Sequence, residues 1–325
     1  MKIGRCDFLL KVIELFGGIG AFTNALHRLN INHEIVDYVE SDKNAVAAYN
    51  VLYNQSFKPC RVEHYNLPKG KKIDILMHGS PCQDFSRAGN RAGGKRGSGT
   101  RSSLLFETIR ILEESNIKPT WVIWENVKAV LDKNFKNTFD IYLSEMESLG
   151  YYSKYKVLNA YDFGIPQKRE RIFVISCLYK KDFSFENLCK FKPPSIRKFL
   201  ETCVHEKYIV SQKSILSKIN GTSTSSFKGR ARIIDDFCYT ILTNQVTIPN
   251  AGFVRVSDGK YRYLTEKECC RLMGFSNRDY ALLYKIFKPR KEHLKSSILY
   301  KLFGNSIVVN ILMEIVKEIE RVEKL

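Results

Sequence analysis

Along the first half of the chain, apolar residues come in short runs separated by stretches with helical spacing. KVIEL (11–15) is compact enough for a strand and leads into FGGIGAF; the following TNALHRLN repeats its apolar positions every three to four residues, which predicts a helix. The alternation continues through EIVDYVE (34–40), NAVAAYNVLY, KIDILMHG (72–79), SSLLFETIRILEES (102–115), PTWVIWENV (119–127) and RIFVISCLY (171–179). Strands alternating with helices predict an α/β fold: a Rossmann-like, mostly parallel sheet with helices on both faces and ligands at the carboxyl ends of its strands. From about residue 180 the regularity fades. The stretch 180–262 holds a polar tract, INGTSTSSFKGRAR (219–232), and short β-like pieces such as YTIL and GFVRVSDGKYRYL, which predicts a small, irregular, β-rich second domain. Helical spacing returns near 265, and the amphipathic IVVNILMEIVKEIERVEKL is predicted to pack back on the sheet. The division is then 1–182 with 290–325 for the first domain, 183–262 for the second, and 263–289 as a hinge region.

Composition narrows the class. With 44% hydrophobic and 26% charged residues, the 325-residue chain reads as a folded protein. No run approaches the roughly eighteen apolar residues of a membrane span, and Asp7, Lys11 and Glu14 interrupt the N-terminal apolar stretch, so no signal peptide is expected. Lys and Arg number 52 against 34 Asp and Glu, a formal charge of +18 that favours a polyanion such as nucleic acid. The nine cysteines include one close pair, Cys269-Cys270, without the C-x-x-C spacing of a zinc site, so no metal is expected. Reduced thiols in a cytoplasmic protein fit this pattern.

Three local patterns carry chemistry. FGGIG (16–20) turns from a strand into a helix, where glycines let the backbone approach a ligand, and Glu40 closes the next strand, where a carboxylate can hold ribose hydroxyls. Together they point to an adenosine-containing cofactor, either NAD or S-adenosylmethionine. HGSPCQDFS sets Cys82 just past a strand end, behind the stiff Pro81, and WEN sets Glu125 at the next strand end, so a thiol and a carboxyl meet at one edge. Residues 83–101 then hold five basic residues (Arg87, Arg91, Lys95, Arg96, Arg101) and five glycines, the composition of a mobile loop that closes over a phosphate backbone.

Seven segments, ELFGGIGAF, VESD, GSPCQDFS, RSSLLFE, ENV, QKRERIFVI and FGNSIVVNIL, resemble in order those of DNA (cytosine-5) methyltransferases of the bacterial restriction–modification or phage type. The resemblance implies S-adenosyl-L-methionine as cofactor and double-stranded DNA as substrate. It makes Cys82 the nucleophile on cytosine C6 and gives Glu125 the N3 and exocyclic amine of a flipped base. It places Arg171 near the cytosine O2, and Arg169 near the loop and phosphates. Phe16, Gly18, Gly20, Glu40, Asn66, Pro81, Leu104 and Asn305 become cofactor positions. Two positions depart from the family's pattern: Ser41 follows Glu40 where some members carry tryptophan, and Asn66 stands where many carry an aspartate that accepts from the adenine amine. Gln83, Ser86 or Arg87 would fill the space the base vacates. The variable region 183–262 becomes the target-recognition domain, with Arg230, Arg232 and Thr240 as DNA contacts. A monomer in the cytoplasm of a bacterium or phage-infected cell is implied, with room for a cognate restriction endonuclease that acts on the same site without forming a complex. Three alternatives remain: a tRNA methyltransferase of the same fold, although its Cys-Phe-Thr signature is absent and 237–239 read FCY; an inactive DNA-binding relative; and a nicotinamide oxidoreductase.

Overall fold

The computed structural model describes residues 9–81, 104–219, 231–245 and 249–323. At its centre lie β1 (Leu10–Leu15), β2 (His33–Val39), β3 (Ile75–His78), β4 (Trp121–Val127) and β5 (Tyr152–Asn159); β6 (Gln167–Lys168) is a short spur before β7 (Glu170–Cys177). The central sheet has the order β2-β1-β3-β4-β7-β5. β2, β1, β3 and β4 pair in parallel, and β7 alone runs the other way, antiparallel to both β4 and β5. The mostly parallel sheet is as the alternation predicts. The reversal of β7 has a consequence for the site: its first residues, not its last, lie at the carboxyl ends of the parallel strands, with Arg171 opposite Val127.

Why these runs become central strands is visible in β4. Trp121, Val122, Ile123 and Trp124 are all buried. Successive side chains leave a strand on opposite faces, so Trp121 and Ile123 enter one core while Val122 and Trp124 enter the other. In β7, Phe173 and Ile175 join the first core, and Ile172 and Val174 the second. A strand covered on both sides has to be apolar at every position, which is the pattern the sequence carries. The first face is covered by α1 (Ala21–Arg28), by the alanines of α2 (Lys43–Tyr53), and by the C-terminal helices described below; α3 (Leu105–Glu113) and α4 (Lys136–Ser148) cover the second. The edge strand β5 is different, with Tyr152 and Tyr155 exposed.

The small lobe has its own core of Val210, Ile215, Phe253, Tyr261 and Tyr263, built from α5 (Lys213–Ile219), β8 (Ile233–Ile234) and the hairpin β10 (Phe253–Ser257) and β11 (Lys260–Arg262). β9 (Cys238–Tyr239) leaves the lobe and pairs in parallel with β6. Phe183, Phe185, Leu188 and Ile196 pack in the main core, as do residues of α6 (Glu266–Leu272), α7 (Asn277–Phe287), α8 (Ser297–Asn305) and α9 (Val309–Glu323). The chain enters and leaves the lobe at one carboxylate. Glu268 of α6 accepts the backbone N–H of Glu201 (2.7 Å) and of Thr265 (2.8 Å), and both its oxygens bind the Arg262 guanidinium at 2.8 Å.

α9 lies along α1, and its apolar stripe joins the core on that face of the sheet. Contrary to the sequence reading, the stretch Ser297–Glu323 is long and apolar enough to cross a membrane. Its most apolar window is nevertheless 67% buried inside the fold, as a core element is.

Candidate active site

The turn after β1 is built for close approach. Phe16, Gly18 and Gly20 all have positive φ (54°, 54° and 71°), a conformation that is uncommon in a residue such as Phe16. A Cβ on Gly17 would stand 2.6 Å from the Tyr38 ring, and one on Gly20 2.5 Å from the Tyr53 ring, so both glycines are required by packing. Gly18 is the exception: among the described residues nothing lies within 4 Å of its Cβ position, so its backbone faces open space. The Gly18 N–H donates to Glu40 Oε2 (3.2 Å) and Tyr38 Oη donates to the Gly18 carbonyl (2.6 Å), fixing the turn. The other Glu40 oxygen accepts from the Asp42 N–H (2.8 Å), and burial raises the Glu40 carboxyl above its ordinary range despite these bonds. A carboxylate has about four acceptor sites, and with the Ser41 backbone also bonding to Glu40 one remains for a ligand's hydroxyl. An open backbone, a helix N-terminus and this carboxylate fit an adenosine-containing group.

Beneath the turn, Glu14 accepts hydrogen bonds from Thr23 and Tyr49, and burial pushes its carboxyl up to about 7. The ordinary value is 4.5. As pH rises between the two, the unfolded chain releases this proton while the folded protein keeps it, so stability falls across that window and is flat above it, by about 3 kcal/mol in all. Glu14→Gln keeps an acceptor oxygen for both donors and cannot ionise. It is expected to match the parent near pH 4.5 and to be more stable by up to about 3 kcal/mol at pH 8. Urea midpoints of both proteins at both pH values measure this, and a gap that does not grow with pH disproves it.

The turn after β3 is tied to the end of β4. Trp124 Nε1 donates to Ser80 Oγ (3.0 Å), and Asn126 Nδ2 donates to the Ser80 carbonyl (3.2 Å). Both donors are buried, so Gly79-Ser80-Pro81 is held from the neighbouring strand by the residues on either side of Glu125. His78 stacks on Trp124 and faces Tyr142, and burial drives it down to about 3, so it stays neutral. Glu125 itself is 9% exposed, and its Oε2 lies 3.9 Å from the Cβ position of Gly79. Its Oε1 meets Arg171 Nε at 3.2 Å. Burial raises its carboxyl above the ordinary range, while Arg171 and then Arg169 pull against that rise. The result is a buried acid poised to share a proton, beside a cation.

Other positions behave differently from the sequence reading. Arg169, expected near phosphates, is 3% exposed, and its guanidinium donates to the carbonyls of Ile241 (2.8 Å), Gly304 (3.2 Å) and Ser306 (2.7 Å). Three backbone acceptors occupy the head expected on DNA. Asn66 is exposed, and the oxygen expected to accept from an adenine amine accepts instead from Arg110 Nη1 (2.7 Å). Thr240 Oγ1 donates to the Lys168 carbonyl (3.0 Å), anchoring the segment rather than presenting that proton outward. Arg232 is exposed and stacks over the Tyr239 ring at 3.9 Å. Leu104 opens α3 half-buried against the second core. Lys301 of α8 binds Asp42 (2.6 Å) just past Glu40, and Asn305, exposed, follows one turn later. Cys82, Gln83, Ser86, Arg87, Arg91, Lys95, Arg96, Arg101 and Arg230 lie outside the described residues. Gln167, Ser80 and Asn126 were not singled out from the sequence, although all three lie inside quoted motifs; the alternation in QKRER marks 167, 169 and 171 as one strand face.

A sheet covered on both faces, whose ligand edge carries an open glycine turn, an acid at the next strand end and a buried acid–arginine pair, is the layout of a cofactor-binding enzyme. The chain belongs to the C-5 cytosine-specific DNA methylase family, whose profile matches residues 10–321, and it is a DNA cytosine-5 methyltransferase. It is 33% identical to the type II methyltransferase M2.ScrFI of Lactococcus lactis subsp. cremoris, with 96% of this chain and 99% of that protein covered. It is 31% identical to the type II methyltransferase M.HhaI of Haemophilus parahaemolyticus, covering 94% and 93%. In fold it is similar to the S. pombe Dnmt2 methyltransferase, with a TM-score of 0.74 at 20% identity over 96% of this chain and 98% of that one.

Proposed function

We propose that this protein transfers the methyl group of S-adenosyl-L-methionine to C5 of a cytosine turned out of a specific double-stranded DNA sequence, with Cys82 as the nucleophile. The Glu125–Arg171 pair at the end of β4, one strand from the Pro81 turn, is the observation that carries this reading.

Cytosine C5 is a poor nucleophile. Attack of the Cys82 thiolate on C6 makes the ring an enamine whose C5 can take a methyl group. Glu125 assists by giving a hydrogen bond or its proton to N3, which its raised carboxyl favours. Arg171 holds that carboxyl in place and lies within reach of the cytosine O2. When bound, S-adenosylmethionine supplies an electrophilic methyl on sulfur. After transfer the C5 proton leaves to a base, the C6–sulfur bond breaks, and the thiolate and 5-methylcytosine are released. None of this can occur inside a stacked duplex, so the base must be flipped. The 83–101 segment, with Gln83, Ser86 or Arg87, has the composition to close over the gap, and Arg91, Lys95, Arg96 and Arg101 to bind phosphates.

Phe16, Gly18, Gly20, Glu40, Pro81, Leu104 and Asn305 would hold the cofactor. The lobe within 183–262 would read the sequence with Arg230 and Arg232 in the interface, the stack of Arg232 on Tyr239 favouring a planar guanidinium display. The active unit is taken as a monomer acting without a bound endonuclease.

Expression in a host whose DNA carries no methylation, followed by single-base 5-methylcytosine sequencing, is expected to give one recurring motif with one methylated cytosine. Unmethylated DNA from cells with soluble protein refutes the proposal, and label appearing only in tRNA replaces it.

A further inference from the structure

We propose that Gln167 and Arg169 are positioning residues that lock the segment by which the recognition lobe reaches the main domain, 240–243, in register with the catalytic acid; this rests on the methyltransferase reading above. The alternation of an extended strand puts 167, 169 and 171 on one face of Q-K-R-E-R, while Lys168 and Glu170 are exposed on the other. Gln167, fully buried, accepts the Ile241 N–H through Oε1 (3.0 Å) and donates to the Leu272 carbonyl (2.8 Å). Arg169 donates to the carbonyl of the same Ile241. One residue of the 240–243 segment is thus held at both of its backbone groups by adjacent positions of the strand face.

The neighbours complete the lock. Lys168 contributes its carbonyl to Thr240, and its ammonium lies 3.9 Å over the Phe237 ring. On the far side Leu242 presses on α8: a Cβ on Gly304 would stand 2.4 Å from the Leu242 carbonyl carbon and 2.5 Å from the Thr243 nitrogen, so only glycine lets the backbones touch. Arg169 binds that helix end too, through Gly304 and Ser306. Three segments meet here: the lobe's 240–243 segment, the end of the helix that carries Asn305, and the strand that carries Arg171. Arg171 is two residues from Arg169 and grips Glu125. The base pair selected by the lobe and the cytosine offered to Glu125 must be aligned across this junction. Groups sealed from water hold such an alignment more firmly than exposed ones, because a broken bond there has no solvent substitute.

The variants are Gln167→Met, which keeps volume and loses both hydrogen bonds, and Arg169→Lys beside Arg169→Met. Each is assayed on duplexes bearing the motif found for the parent enzyme and on all its single-base variants. Discrimination, the ratio of kcat/KM for the motif to that for a one-base variant, is expected to fall at least about tenfold. S-adenosylmethionine affinity and circular dichroism stay with the parent, and Arg169→Lys, which can still reach a carbonyl, loses less than Arg169→Met. Unchanged discrimination in folded Gln167→Met overturns the proposal. So does a loss of cofactor binding in step with methylation, or failure of Gln167→Met to fold, either of which makes the cluster merely structural. A parent enzyme that methylates no DNA overturns the methyltransferase reading instead, which keeps the two failures apart.

Discussion

Cys82→Ser is expected to lower methyl transfer by at least about a thousandfold while leaving S-adenosylmethionine and DNA binding within about twofold of the parent. A thiol reaches its anionic form within a unit or two of neutral pH, whereas a serine hydroxyl does not, and the anion is the attacking species. The change replaces sulfur with oxygen, and the preceding Ser80 is held independently by Trp124 and Asn126. Transfer from labelled cofactor, with gel-shift titration on the same duplex, separates chemistry from binding. Unchanged transfer would show that another group attacks C6.

Glu125→Gln is expected to reduce kcat by about 10²–10⁴-fold, the usual worth of a placed acid. The amide can still hydrogen-bond but has no proton to give. Because burial holds the Glu125 carboxyl above its ordinary range, the protonated acid persists further toward neutrality and is lost as pH rises through that raised value. The parent should therefore show kcat falling on the alkaline side, and the variant should lose that limb. A variant with the parent's rate and pH profile would remove Glu125 from the chemistry. Arg171 would keep a hydrogen-bond acceptor but lose its counter-charge, so a modest rise in KM is expected alongside.

The sheet was legible because its central strands are buried on both faces, which forces unbroken apolar runs such as WVIW. β5 was not, since an edge strand with exposed Tyr152 and Tyr155 needs no such run. The direction of β7 was hidden for another reason. Periodicity says which residues face a core but not which way a strand points, and only the reversal brings Arg171 to Glu125. Arg169 misled because an arginine in a basic motif has the composition of a phosphate ligand. Its partners are main-chain carbonyls 72 to 137 residues away, and a carbonyl is the same at every position, so no residue type announces it. Asn66 shows the same limit on a smaller scale: the motif suggests a ligand for its oxygen, while Arg110, reaching over from α3, occupies that oxygen.

The meeting of both ends of the small lobe at Glu268 bears on how such enzymes can diversify. An insertion whose entry and exit are pinned to one side chain leaves the host chain a gap hardly wider than a turn. Lengthening what lies between adds closure entropy only slowly, by about 0.6 kcal/mol per doubling. The host fold is therefore nearly indifferent to how long the lobe is. On the reading proposed above, in which the lobe selects the DNA sequence, a lobe that offers a backbone pair to Gln167 and Arg169 and keeps an arginine for Glu268 can be exchanged as a cassette, and a new sequence preference then arises by transplantation in one step.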